Sequence, residues 1–442
     1  MVNPVQIIEK KRDGQILSSE EIEYFVRGAV NNEVPDYQIS ALLMATFLNG
    51  MNPNETAALT RAMTESGKVL NLSDVPGPLV DKHSTGGIGD KVSIILAPLA
   101  ATCGLSVPMM AGRGLGHSGG TLDKLESISG FNVNLTEAER ITLLKKIGCL
   151  IVGQTKDIAP ADRMFYSLRD VTGTVASIPL IVASILSKKK AEGTKHLVMD
   201  IKVGNGAFME KKSQAKALGR QLISVGKKLD IKVSAVLTDM NQPLGYAAGN
   251  SLEIIECIDV FKNQRSSFPG TTSIDLKELT LRLCAEMLTL SAKARNFTEA
   301  RKIARANLES GEAWIKFKEM VKLQGGDVSQ IENPELLPLS KSQKALISKK
   351  TGYLSSIDTK EIGLMIVDLG GGRHQVTDSI DHGVGFVFHK KLGAKVSEGD
   401  KIATLFYENG KGLKSIEERF YSAIAISRSR KKTPPLILEI LN

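Results

Sequence analysis

The chain has 442 residues, 42% of them hydrophobic and 24% charged, a length for two or three domains and a composition that fills a large core. It has no apolar run near the roughly 18 residues of a membrane span and no apolar segment behind its first charges, so no membrane partner and no signal peptide are expected and the cytoplasm is the expected location. The formal net charge of +9 is spread over small clusters, with 5% aromatic residues and one tryptophan, which reads as a solvated basic surface and leaves nucleic acid unexpected as a partner.

The first 67 residues read as helical. Ser18-Ser19-Glu20-Glu21 is a capping box before a helix from Ile22 to Val30. Pro35-Asp36 opens a second helix with apolar Ile39, Leu42, Leu43, Ala45 and Phe47, and Pro53-Asn54-Glu55 opens a third that ends near Ser66-Gly67. After SDVPGP the texture changes to apolar runs followed by loops: LSVPMM before AGRGLG, CLIVG before QTKD, HLVMDIKV before GNGAF and VSAVLTD before MNQPLG. That alternation predicts parallel strands with helices between them and function in the loops after the strands. A second helical stretch, Asp162 to Glu192, fits a helical domain that the chain leaves and later revisits. The turn-rich GGDVSQIENPE precedes another change of composition near Pro334-Glu335, beyond which short strands and tight turns form a third unit.

Three stretches carry chemistry. In DKHSTGGIGDKVS (81–93) neither the dinucleotide nor the P-loop spacing is met. Its physics still suits an anion: small residues bring backbone amides close, Lys82 supplies charge, Ser84 and Ser93 supply hydroxyls, and the following VSIILAPLAATCG reads as a helix whose N-terminus faces the site. AGRGLGHSGGTLDKLES (111–127) contains GxGxxG at 114–119 but lacks an acidic residue about 20 positions on for a ribose; the alternative is that Thr121 and nearby amides form the other wall of the anion site. In YSLRDVTGTVASIPLIVASILSKKK, Ser184 and Lys188 are four apart on one helix face and Arg169 is near, a donor-rich set for carbonyl oxygens. Lys188 alone would equally serve the negative pole of its helix. Cys103, Cys149, Cys257 and Cys284 form no CxxC pair and read as buried thiols in a reducing compartment.

Taken in order, these stretches together with LVMDIKVGNGAFM closely resemble the thymidine and pyrimidine-nucleoside phosphorylases, over essentially the whole chain. The resemblance implies an α/β fold with a small helical domain (1–67 and 161–192), a large α/β domain (68–160 and 193–334) and a C-terminal α+β subdomain (335–442), in a homodimer. It implies phosphorolysis of a pyrimidine (deoxy)nucleoside, with inorganic phosphate as co-substrate and no cofactor. Phosphate contacts fall on Lys82, Ser84, Ser93 and Thr121, and base contacts on His83, Arg169, Ser184 and Lys188, of which His83, Arg169 and Lys188 would be catalytic. His83, with an ordinary pKa of about 6.5, could hydrogen-bond or protonate a base carbonyl. Ala111 stands where relatives usually have a serine that binds phosphate. Some relatives bind potassium near segments similar to LGYAAGNSLEIIE, which places Leu244, Ala247 and Glu256 there; Lys91 would bring an ammonium to that place, so no metal is expected. The runner-up enzyme is an anthranilate-type phosphoribosyltransferase, which would need diphosphate, Mg2+ and acidic ligands.

Overall fold

The computed structural model describes residues 3–114, 116–375, 377–410 and 412–442. The N-terminal segment forms four helices, one more than expected: α1 (Pro4–Arg12), α2 (Ser19–Val30), α3 (Asp36–Asn49) and α4 (Pro53–Glu65). Helix α1 is inconspicuous in sequence because PVQIIEKKR carries so little apolar periodicity, yet Asn3 caps it by accepting from Val5 N at 2.9 Å. The capping box before α2 closes both ways, Glu21 N to Ser18 Oγ at 3.3 Å and Ser18 N to Glu21 Oε2 at 2.7 Å. On α3, Ile39, Leu42, Leu43 and Ala45 are buried whereas Phe47 remains 38% exposed.

The chain then enters the α/β part with β1 (Val80–Ser84), α5 (Val92–Thr102), β2 (Val107–Met110), α6 (Thr121–Leu125), α7 (Glu137–Ile147) and β3 (Cys149–Val152). It returns to the helical part as α8 (Pro160–Thr172) and α9 (Ile178–Ala191). Ala161, Phe165, Leu180 and Ala183 of these helices join Ile22, Phe25, Leu42 and Leu59 in one core, so the revisit read from the sequence is a shared hydrophobic cluster.

Next come β4 (His196–Val203), α10 (Lys212–Lys228), β5 (Lys232–Asp239), β6 (Ala247–Ala248), α11 (Asn250–Phe261), α12 (Ile274–Leu290), α13 (Phe297–Glu309), α14 (Glu312–Leu323) and α15 (Val328–Glu332). Strands β1, β4 and β5 pair in parallel in that order, and β2 and β3 form a second parallel pair. Parallel pairing sends the ends of β1, β4 and β5 to one edge of the sheet, where their loops meet.

The C-terminal part contains β7 (Ser342–Ile347), β8 (Gly352–Ile357), α16 (Thr359–Ile366), β9 (Gly385–Phe388), β10 (Lys395–Val396), β11 (Lys401–Tyr407), α17 (Leu413–Ala423), β12 (Ile424–Ser427) and β13 (Ile437–Leu441). Its sheets run β6-β9-β11-β7 and β10-β8-β12. Two strands depart from the 335–442 grouping. Strand β6 is lent by the α/β part to β9, and β13 leaves the C-terminal unit to pair antiparallel with β5. The second exchange covers a sheet edge whose backbone groups would otherwise lack partners.

Candidate active site

Strand β1 delivers Lys82, His83 and Ser84 to the sheet edge. The turn after it passes through Gly86 and Gly89 at φ of 85° and 73°, and a Cβ on Gly89 would lie 2.4 Å from Leu244 O, so only glycine fits. Buried Lys82 Nζ lies 3.3 Å from Ser93 Oγ on the first turn of α5, 3.9 Å from Asp90 Oδ1 and 3.8 Å from Asp200 Oδ2. Ser84 Oγ donates to Asp90 Oδ2 at 2.5 Å and accepts Gly86 N at 3.1 Å. Lys82, Ser84 and Ser93 therefore converge, with Asp90 among them. Lys202 of β4 pairs with Asp200 at 2.7 Å and stands 3.8 Å from Asp90, while Lys124 Nζ donates to Asp90 O at 2.9 Å. Burial opposes ionisation of Asp90, but Lys202, Lys82 and the Ser84 hydroxyl outweigh it and hold the carboxyl below its ordinary range. Three ammonium groups and two hydroxyls gather here, balanced by Asp90, Asp200 and Glu253, which pairs with Lys124 at 2.7 Å, so the donors that an anion would need are already assembled.

The second glycine loop faces the first: a Cβ on Gly86 would stand 3.7 Å from Ser118 Oγ. Its acidic residues brace the loop itself. Asp123 accepts Gly114 N at 2.7 Å and pairs with Arg113 at 3.1 Å and Arg373 at 2.8 Å, and Glu126 pairs with Arg113. That leaves no free carboxylate of this loop for a ribose. Thr121 opens α6, half-buried, and among the described residues no hydrogen bond joins it to Lys82, Ser84 or Ser93. Ala111 follows β2, its N–H donating to Val152 O at 2.9 Å, with a methyl group and no hydroxyl to offer.

On the helical side, the four-residue spacing of α9 does what the sequence predicts: Lys188 Nζ lies 2.8 Å from Ser184 Oγ. It also donates to Asp162 Oδ2 of α8 at 2.7 Å, and the other Asp162 oxygen, fully buried, has no hydrogen-bond partner among the described residues. Arg169 differs from expectation. Its buried guanidinium donates to the carbonyls of Thr174 (3.4 Å), Leu180 (3.1 Å) and Val175 (2.6 Å). Thr174 and Val175 lie in the turn between α8 and α9, where their carbonyls have no place in a helix, and Leu180 lies in the first turn of α9, so the fork ties the turn to that helix. Three of the five N–H donors are thereby engaged, leaving two for a ligand.

His83 stands between the two groups of residues. Burial first, and then the charges of Lys189, Lys188 and Lys82, push its pKa well below the ordinary value. The neutral imidazole is thereby favoured, a form that can donate a hydrogen bond.

The oxygens associated with potassium are already occupied. Lys91 Nζ donates to Leu244 O at 2.9 Å, Ala247 O at 2.9 Å and Glu256 Oε2 at 2.7 Å, all in a fully buried position. A potassium ion does not fit where a covalently attached ammonium fills the cage. Among the described residues no cluster of three or more His, Cys, Asp or Glu side chains is arranged to hold a metal. Asp90, Asp162, Asp200 and Lys202 were not singled out from the sequence. Asp200 and Lys202 had a readable signal, since two charges on alternate residues of a strand as apolar as HLVMDIKV must find partners inside.

Three family models match the chain: the helical bundle domain of a glycosyl transferase family at residues 5–67, the a/b domain of that family at 76–314, and the pyrimidine nucleoside phosphorylase C-terminal domain at 353–427. Over 437 residues, 99% of either chain, the sequence is 45% identical to the pyrimidine-nucleoside phosphorylases of Staphylococcus haemolyticus and Staphylococcus epidermidis, and 44% identical to that of Staphylococcus aureus. Anthranilate phosphoribosyltransferase from Thermus thermophilus superposes with a TM-score of 0.59 at 19% identity, covering 72% of this chain and 99% of that one, a likeness of fold.

Proposed function

Because the chain belongs to the pyrimidine-nucleoside phosphorylase family, we propose that it catalyses reversible phosphorolysis of pyrimidine (deoxy)nucleosides, thymidine foremost, giving free base and (2-deoxy)-alpha-D-ribose 1-phosphate. The observation that carries this reading is the convergence of Lys82, Ser84 and Ser93 at the end of β1, with His83 turned into the field of Lys188. In this reading phosphate takes the donors now gathered around Asp90, and Thr121 completes the cradle from the facing loop. Phosphate attacks the anomeric carbon as the glycosidic bond breaks, so positive charge grows on the sugar and negative charge on the leaving base. Lys188, Ser184 and the remaining donors of Arg169 meet that negative charge, and neutral His83 donates to a base oxygen. Asp162 keeps the Lys188 ammonium in place until substrate arrives.

A homodimer belongs to the same reading. Tyr37, Met44 and Leu48 lie seven and four residues apart on one face of α3 and are 74%, 38% and 72% exposed, an apolar stripe that a second copy would cover.

The test supplies purified protein with thymidine, deoxyuridine or uridine, phosphate and no Mg2+. Phosphate-dependent base release, fastest from the deoxynucleosides, supports the reading. Faster release from uridine would reverse the proposed preference, and a requirement for diphosphate and Mg2+ would favour the phosphoribosyltransferase.

A further inference from the structure

One buried lysine serves neither substrate yet touches all three segments that carry the site. Lys189, on the last turn of α9, is fully buried beside Lys188 in sequence. Its Nζ pairs with Asp81, the residue before Lys82 on β1. It also donates to Met110 O at the end of β2, 3.1 Å away and one residue before Ala111, and lies 3.1 Å from Glu192. The cluster sits where the chain crosses between the helical and α/β parts. The crossings are tied there by Lys68 N to Asp157 O at 2.7 Å, Leu70 N to Ala191 O at 2.8 Å and Lys195 N to Leu79 O at 3.3 Å.

We propose that Lys189, with Asp81 as its counter-ion, is a positioning residue that sets the spacing between the base-binding end of α9 and the phosphate-binding end of β1. The proposal rests on the phosphorylase reading of the site. The geometry gives the ammonium one donor direction for each segment, α9 being its own, and a buried charge without its counter-ion is too costly to let the segments part. Glu192 plays a different part. Burial, reinforced by Asp81, raises its pKa well above the ordinary value against the pull of Lys189, and it accepts from Thr194 Oγ1 at 2.7 Å. Asp81 pairs with Lys189 from β1 itself and also accepts Lys82 N at 2.7 Å, which links the pivot directly to the phosphate strand.

The test measures kcat and both KM values for Lys189→Met, Lys189→Arg, Glu192→Gln and Asp81→Asn, with calorimetric binding of phosphate alone and thymine alone. Lys189→Met should bind each ligand within about 3-fold of wild type yet lose about 100-fold in kcat, the cost of a misplacement near 1 Å between reacting groups. Lys189→Arg should recover a large part of that loss, and Glu192→Gln should cost less than Lys189→Met because Asp81 and Met110 O still hold the ammonium. Wild-type kcat in Lys189→Met overturns the proposal. So does a loss of phosphate or thymine binding that matches the loss of kcat. If Lys189→Met does not fold, Asp81→Asn is read by the same two criteria, since it keeps the bond to Lys82 N. Absence of turnover in wild type would defeat the phosphorylase reading itself, whereas the positioning role fails by either of those two criteria in a wild type that turns over.

Discussion

At the scale of single residues, the charge state of His83 bears most directly on the proposed assistance to the leaving base. Its native pKa is depressed by burial and by Lys189, Lys188 and Lys82, while in the unfolded chain it is about 6.5. As the pH falls through that value the unfolded chain takes up a proton that the native chain refuses. The stability from a neutral His83 is therefore complete above about pH 6.5 and declines below it until the native value is reached. NMR titration of the His83 ring should show the neutral form at pH 6.5; a midpoint at or above 6.5 would contradict the electrostatic account. Arg169 gives a second prediction. Arg169→Lys replaces a fork that spans three carbonyls by one point donor, and kcat/KM should fall by about 10- to 100-fold with a lower melting temperature; near-normal turnover would remove Arg169 from the site. The Ser184–Lys188 pairing was legible because helical spacing fixes it. The bonding of Arg169 was not, because two of the carbonyls it collects lie in a turn whose path the sequence does not reveal. Asp162 was missed for a like reason: it meets Lys188 across two helices.

At the scale of elements, the apolar runs LSVPMM, CLIVG, HLVMDIKV and VSAVLTD all become strands of parallel pairs, since a strand covered on both faces reads as a continuous apolar run. Pairing partners were less legible. Nothing in LILEIL says that β13 closes the β5 edge, or that Ala247–Ala248 will pair with β9, because both pairings join segments far apart in sequence. The buried Lys91 cage also ties elements together. Glu256 accepts from Lys91, Tyr246 N at 2.7 Å, Ala247 N at 2.9 Å and Ser273 Oγ at 2.5 Å. Lys91→Ala strands this carboxylate and should cost about 3–5 kcal/mol in chemical denaturation; an unchanged midpoint would show that the ammonium is dispensable. With the ammonium in place, exchanging K+ for Na+ at constant ionic strength should leave turnover unchanged, and a strict K+ requirement would contradict the occupied cage.

At the scale of the whole molecule, the sequence showed a helical part that is left and revisited, and the structure explains the revisit as a shared core of α2, α3, α8 and α9. That arrangement puts Ser184 and Lys188 on one side and Lys82, Ser84 and Ser93 on the other, with few covalent crossings between. The exposed α3 stripe follows at the same scale. Tyr37→Glu combined with Leu48→Glu should convert a dimer to a monomer in sedimentation velocity, and a wild-type protein that sediments as a monomer would contradict the proposed pairing.

The most direct test of the central claim follows 31P NMR of inorganic phosphate mixed with thymidine and the purified protein, without Mg2+. The account predicts that a sugar 1-phosphate resonance grows as free thymine is released in equal amount. Thymine release without consumption of phosphate, or no release at all, would contradict it.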